Sequence, residues 1–121
     1  MPSYTILNRT RETLIAAHIE LANTPRARRV GLLNHDHLEK GHGLLIPGRN
    51  WIPFMAIHTF KMKFSIDVFF LDKNWKVLSL DTIQPNRVAG VMDAHWVLET
   101  AEGIIGDSGS QPGDHMVLTI N

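Results

Sequence analysis

Apolar and polar residues alternate along much of the chain, most clearly in residues 57–72, IHTFKMKFSIDVFFLD. A period of two residues is typical of a β-strand, whose successive side chains point to opposite faces. We therefore expect Phe60 and Phe70 to be buried on one face and Lys61 to lie on the other. Because an ordinary strand has about 5–6 residues, we expect either one long strand bent near residues 63–65 or two strands.

Shorter stretches of the same kind predict further strands. These are Tyr4–Leu7, residues 12–22, Leu44–Ile46, Lys76–Asp81, Trp96–Glu99 and His115–Ile120. Residues 12–22 also have the composition of a helix, and we choose the strand because their apolar residues alternate. Residues 47–53 contain two prolines and a glycine, which predict a loop.

One helix and one hairpin turn complete the predicted elements. Thr24 suits a helix N-cap and Pro25 the first helical position, which predicts a short helix over Pro25–Leu33, after the second strand. In the turn Asp72–Trp75, Asn74 is expected to adopt the left-handed conformation. The sequence therefore predicts a mainly β, α+β fold built on a small barrel-like sheet with antiparallel or mixed strands.

Composition indicates one soluble domain spanning residues 1–121. The 12 basic and 12 acidic residues cancel, which argues against nucleic-acid or membrane partners. The absence of cysteine excludes disulfides, a thiol nucleophile and thiolate metal ligands. No segment has the pattern of a signal peptide. We expect a cytoplasmic protein, exported only if a leader was removed, that is a monomer or a weak homodimer.

Several motifs in this order resemble a known family. They include TPRARRVGLL, GHGLLI, HTFKMKFSIDVFFLD, QPNR, VLE and a late GD. Over roughly residues 13–120 this order is similar to domain-of-unknown-function family 192, also called uncharacterised protein family 0127. The resemblance implies a small, mostly β domain found in bacteria and archaea, with no established activity. Two departures are Ser65, where the family usually has proline, and Trp75, where a hairpin glycine is common, although tryptophan resists positive φ.

Five residues are candidates for a binding site: His58, Asp67, Arg87, Arg49 and Trp51. His58 shares a strand face with phenylalanine, so it is either a core histidine or a pocket histidine. Asp67 lies inside an apolar strand and needs a partner. We expect a structural ion pair with Arg87; the alternative is an anion site in which Arg87 holds the ligand. Trp51 and Arg49 lie in the loop of residues 47–53, which precedes the central stretch.

The loop HDHLEKGH contributes metal-competent side chains, namely His35, Asp36, His37, Glu39 and His42. Their spacing matches no known ligand motif, so we interpret the segment as a polar surface loop. We predict neither a metal nor a cofactor.

Three classes of function are compatible with these residues. We favour a non-catalytic binding or accessory domain for an unknown small molecule or protein. The alternatives are a purely structural or protein-interaction module and a hydrolase in which His58 and Asp67 form an acid–base pair. A pocket with convergent polar groups beside His58 would favour binding or hydrolysis, whereas a flat apolar patch would favour protein interaction.

Overall fold

A mixed sheet of seven strands, the main sheet, forms the body of the protein in a computed structural model that describes residues 3–22, 37–48 and 54–121. Its strands are β1 (Tyr4–Asn8), β2 (Thr13–Leu21), β3 (His42–Pro47), β5 (Ile66–Leu71), β6 (Val77–Ile83), β8 (Trp96–Ala101) and β9 (Met116–Ile120). The spatial order is β6-β5-β8-β3-β2-β1-β9. Only the β2–β3 pair is parallel among these described strands. The sheet curls into a half-barrel.

Two further strands pair with each other in a separate small sheet. These are β4 (Phe54–His58) and β7 (Val88–Met92), which are antiparallel. Residues 12–22 do form a strand, as predicted, whereas β7 was not predicted at all. A short helix, α1, spans Ile104–Ser108, late in the chain. The predicted helix Pro25–Leu33 lies outside the described residues. Within those residues, no helix is long and apolar enough to span a membrane.

Two apolar clusters cover the two faces of the main sheet. Phe69 packs into the first cluster, with Ile6 and Leu98. Val68 and Phe70 pack into the second cluster, on the face that the small sheet covers. Because its alternate residues enter different clusters, β5 is buried along its whole length. The end of the central stretch is therefore buried on both faces.

The central stretch divides into two strands that belong to different sheets. β4 ends at His58 and β5 begins at Ile66, with turns and bends between them. Lys61 has a left-handed φ of 64°. The alternation of side chains between two faces therefore stops at Lys61 and does not continue into β5. The prediction that Phe70 is buried is confirmed, at 2% exposure, whereas the prediction for Phe60 is wrong, because this side chain is 47% exposed.

The β5–β6 hairpin turns at Trp75, and not at Asn74 as predicted. Trp75 has a φ of 66°, a conformation that costs a non-glycine residue about 1–3 kcal/mol. Hydrogen bonds to Asp72 and the stacking of the Trp75 ring offset this cost. The Asp72 carboxylate accepts hydrogen bonds from the backbone N–H groups of Asn74 (2.8 Å) and Lys76 (3.0 Å). The Trp75 ring stacks on Trp96, with centroids 4.6 Å apart. The hairpin therefore forms without the glycine common in the family.

A buried polar network fastens the first and last parts of the chain. The Oδ2 atom of Asp114 accepts hydrogen bonds from Asn8 Nδ2, Arg11 Nε and the Gln111 backbone N–H, each 3.0 Å long. Burial by itself raises the pKa of Asp114, but these hydrogen bonds and the Arg11 charge outweigh burial and lower that pKa below its ordinary value of 3.8. Asp114 is therefore held as an anion in the folded protein.

Candidate functional site

The three candidate binding residues that the structure describes, His58, Asp67 and Arg87, do not form one cluster. Asp67 lies inside the main sheet, at 1% exposure. His58 and Arg87 lie at one end of the small sheet, where His58 pairs with the residue that follows Arg87. Arg49 and Trp51 lie outside the described residues. Within the described residues, the candidate surface is therefore the end of the small sheet around His58 and Arg87.

Asp67 is a structural residue whose carboxylate is fully engaged by other groups. Its Oδ1 accepts a hydrogen bond from the Thr82 hydroxyl (2.7 Å), and its Oδ2 accepts two from the backbone N–H groups of Gly103 (3.1 Å) and Ile105 (2.9 Å). These bonds fix the start of α1. The predicted ion pair with Arg87 is wrong, because Arg87 is exposed and its guanidinium donates to a backbone carbonyl instead.

The acid–base pair required by the hydrolase alternative is also not formed. Within the described part of the chain, no hydrogen bond joins His58 to Asp67, and the three hydrogen bonds to the Asp67 carboxylate come from other donors. His58 is exposed at the end of β4. A histidine that is to act as a general base needs a group that orients it within hydrogen-bond reach, and Asp67 does not supply it.

Backbone hydrogen bonds hold together the two turns beside His58. Thr59 donates its backbone N–H to the Arg87 carbonyl (2.9 Å) and its hydroxyl to the Gln84 carbonyl (2.6 Å). In return, the Arg87 N–H donates to the Thr59 hydroxyl oxygen (2.9 Å), and the Asn86 N–H donates to the Thr59 carbonyl (2.8 Å). The Asn86 side chain also accepts a bond from the Lys61 N–H (3.1 Å). The backbone under these side chains is thus fixed before any ligand arrives.

We call the two turns, residues 59–65 and 84–87, together with His58, the basic end of the small sheet. Its positively charged residues are Lys61, Lys63 and Arg87. The segments 54–66 and 82–92, which build the small sheet and these turns, contain no aspartate or glutamate. Since the whole chain is neutral, this is a local concentration of positive charge. Such a surface attracts anions.

An exposed aromatic pair lies at the same end. The rings of His58 and Phe60 stack with centroids 4.9 Å apart and an interplanar angle of 23°. Both side chains are exposed. Sequence reasoning missed Phe60 as a surface residue because alternation through residue 62 placed it in the core. The one available signal was the pair of lysines around position 62, which suits a turn better than a buried strand.

The outer face of the small sheet is apolar and largely exposed. Val88 is 65% and Met92 is 61% exposed, and Phe54, opposite Met92, is 43% exposed. The Phe54 ring lies over Gly90 of β7, so close that a Cβ atom added to Gly90 would be 2.5 Å from Cζ of Phe54. This is the flat apolar patch that favours protein interaction.

Glu99 is a buried acid that sequence reasoning did not propose as a site residue. It lies on β8, opposite Leu44 and Val68, and is 7% exposed. Within the described residues no hydrogen bond or ion pair to its carboxylate is found, and burial raises its pKa from 4.5 to about 7. The signal that singled out Asp67, an acid inside an apolar strand, was equally present in Trp96–Ala101. Its two cross-strand neighbours both belong to the second apolar cluster.

The histidine and charged side chains of the polar loop before β3 are exposed in its described part. His37 Nε2 is 3.7 Å from a carboxylate oxygen of Glu39, and the rings of His42 and His18 stack with centroids 5.0 Å apart. His35 and Asp36 lie outside the described residues. In the described ranges, no three histidine, aspartate or glutamate side chains are grouped so that they could hold a metal ion.

Comparison with known proteins identifies the family and the fold. The family profile of DUF192, described as "Uncharacterized ACR", matches residues 6–118. A crystal structure of a "putative transcription regulator" from Sinorhizobium meliloti 1021 is similar, with a TM-score of 0.80 and 18% identity, covering 96% of this chain and 92% of that one. So is a protein of unknown function from Novosphingobium aromaticivorans DSM 12444, with a TM-score of 0.77 and 19% identity, covering 97% and 84% of the two chains. No curated protein matches the sequence.

Proposed function

The chain belongs to domain-of-unknown-function family 192, and we propose that it is a non-catalytic binding domain that takes an anionic ligand at the basic end of its small sheet. The ligand class is a small molecule with carboxylate or phosphate groups. The observation that carries the proposal is the concentration of Lys61, Lys63 and Arg87 on segments without a single acidic residue. A local excess of cationic side chains raises the concentration of anions at the surface and favours their binding.

The fixed turns support this proposal, because they reduce the cost of ordering the site. The backbone of Lys61 and Arg87 is already hydrogen-bonded through Asn86 and Thr59, so binding has to order side chains only. Each exposed cation contributes about 1 kcal/mol to an anion nearby. These contributions are small, so a simple anion should bind only weakly, with a dissociation constant of about millimolar order or higher. A ligand with several charges should bind more tightly.

The stacked pair of His58 and Phe60 indicates a preference among anions. An exposed ring offers a flat apolar surface, and cations close to it hold the charged part of a ligand. We therefore expect a planar or ring-bearing anion to bind better than a compact one of equal charge. This would separate selective binding from simple attraction to positive charge.

A thermal-shift experiment tests the proposal. The probes are pyrophosphate, citrate and benzene-1,2,4-tricarboxylate, with glucose as the uncharged control. At tenfold excess over the dissociation constant, a ligand adds about 1.4 kcal/mol to stability, which raises the melting temperature by about 5 °C. The double variant Lys61→Gln/Lys63→Gln should lose most of this shift. The matched control Lys73→Gln/Lys76→Gln, on the β5–β6 hairpin, should keep it. Equal shifts in the two double variants, or none in the wild-type protein, would refute the proposal.

The apolar outer face of the small sheet supports a second candidate function, that of a protein-interaction module. Phe54, Val88 and Met92 form this face, and it is adjacent to the basic end but chemically distinct from it. The two functions are separable by experiment, because anion binding depends on ionic strength, whereas contact with an apolar face does not weaken with added salt.

A further inference from the structure

One edge of the small sheet, along β7, has no partner strand among the residues that the structure describes. β7 pairs with β4 on one side, and no described strand pairs with it on the other. The bond from the Thr59 N–H to the Arg87 carbonyl marks these two residues as a hydrogen-bonded pair. Because such pairs alternate along an antiparallel ladder, the N–H and C=O groups of Val88, Gly90 and Met92 point away from β4. These groups are free to pair with another strand.

The β7 edge also lacks the features that normally prevent pairing. Exposed edge strands are commonly protected by charged side chains, by proline or by a bulge. Val88–Met92, with the sequence VAGVM, contains no charged residue and no proline, and its pairing with β4 runs in continuous register. Val88 and Met92 are 65% and 61% exposed. An uncovered apolar edge of this kind favours a partner strand.

The sequence around Gly90 is complementary to a second copy of itself in the antiparallel direction. If two β7 strands pair in antiparallel fashion about Gly90, Val88 lies opposite Met92. Arg87 and Asp93 flank β7, Asp93 in a turn with a left-handed φ of 67°, so the pairing brings Arg87 of one copy next to Asp93 of the other at each end. Gly90 then meets Gly90, so the outward N–H and C=O groups are in register. We propose that β7 pairs with β7 of a second copy of this chain about a two-fold axis, giving a continuous four-stranded sheet β4-β7-β7-β4.

The charges of Arg87 and Asp93 favour a second copy of this chain as the partner, and they favour pairing along β7 over pairing along β4. Arg87 and Asp93 form no ion pair within the described residues, so both charges are available, and the two-fold arrangement uses each of them once per strand. The β4 edge has no such property, because self-pairing about Ala56 would place Phe54 opposite His58, with no opposite charges. In a two-fold dimer the β7 edges of both copies are paired with each other, so neither is left to pair with a third copy and assembly stops at the dimer.

The dimer should be weak, since one five-residue strand from each copy supplies the interface. Interfaces well below ~1,200 Å² are typical of transient complexes, so we expect a dissociation constant between about 10 µM and about 1 mM. This inference does not rest on the proposed anion binding. Arg87 belongs to both proposed sites, but Lys61 and Lys63, on which the anion test depends, take no part in the β7 pairing, so the two proposals can fail separately.

Sedimentation equilibrium from about 10 µM to about 1 mM tests the dimer. The wild-type chain should dimerise. Arg87→Asp and Asp93→Arg should each weaken dimerisation at least ~10-fold, because both cross-strand pairs in the dimer change from opposite to like charges. An equimolar mixture of the two single variants should form a heterodimer about as tight as wild type, since each cross-strand pair then joins one acidic and one basic side chain again. Lys73→Asp, on the other hairpin, should have no effect.

Amide hydrogen exchange followed by NMR gives a second measurement that needs no variant. The exchange of the Val88, Gly90 and Met92 amides should slow as the wild-type concentration rises, whereas that of Leu118 should not change. The proposal is overturned if the wild-type chain stays monomeric at ~1 mM, if the charge-swapped variants do not restore each other, or if the β7 amides gain no protection.

Discussion

Replacing Glu99 by glutamine should remove a pH dependence from the stability of the protein. In the folded state burial raises the pKa of Glu99 to about 7, whereas its ordinary value is 4.5. Between these values the folded state binds more protons than the unfolded state, so stability falls as the pH rises. This contribution is fully present below pH 4.5, is lost as the pH rises through about 7, and is constant above that.

The magnitude follows from the pKa values. One pKa unit corresponds to about 1.4 kcal/mol, so the ionised carboxylate lowers stability by about 3 kcal/mol at pH 8 relative to pH 4.5. Because Glu99 is 7% exposed, water does not screen the effect appreciably. Glutamine has nearly the same shape and stays neutral at every pH. The variant should therefore resemble wild type near pH 5 and exceed its stability at pH 8.

Urea unfolding of Glu99→Gln and wild type from pH 5 to pH 8 provides the assay. All other ionisable groups are the same in both proteins, so the difference between the two free energies isolates Glu99. The matched control is Glu102→Gln, because Glu102 is exposed three residues further along the chain. A difference between variant and wild type that changes by less than ~0.5 kcal/mol over this range would refute the reasoning.

Two further predictions concern the central stretch. Phe70→Ala should destabilise the protein by about 3–5 kcal/mol and the exposed Phe60→Ala by less than about 1 kcal/mol in urea unfolding, and equal losses would contradict the division into two strands. Asp67→Asn should cost about 2 kcal/mol, because an amide cannot accept as well from Thr82 and two backbone N–H groups. Arg87→Met should be nearly neutral, and a double-mutant cycle should show a coupling below ~0.5 kcal/mol; a larger coupling would reinstate the ion pair.

Sequence patterns predicted the parts of the fold that depend on local alternation. Residues 12–22 form a strand, and Phe70 is buried, because apolar side chains at every second position require a sheet facing a core. β7 was missed because it is short, contains Gly90 and has a weak alternation in VAGVM. Its strand character comes from pairing with β4, which lies well before it in the chain.

The candidate site was predicted only in part, for a related reason. The sequence indicated that Asp67 needs partners, but side-chain charge pointed to Arg87, whereas the actual donors include backbone N–H groups 36 and 38 residues away. Every residue except proline carries such an N–H group, so composition cannot single it out. His58 and Arg87 do lie at the same end of the small sheet, and this arrangement follows from the interlocked turns around Thr59.

The pairing of β1 with β9 has a consequence for how fast the protein can fold. Tyr4–Asn8 pairs with Met116–Ile120, and the buried hydrogen bond between Asn8 and Asp114 joins residues 106 positions apart. Such distant contacts require closure of a very long loop, and chains dominated by them fold in about milliseconds to seconds rather than microseconds. During synthesis β1 must wait for the last strand with one edge unpaired, which exposes the nascent chain to aggregation. Substitutions that loosen the Asp114 network should therefore lower the yield of folded protein in a cell more than its equilibrium stability would suggest.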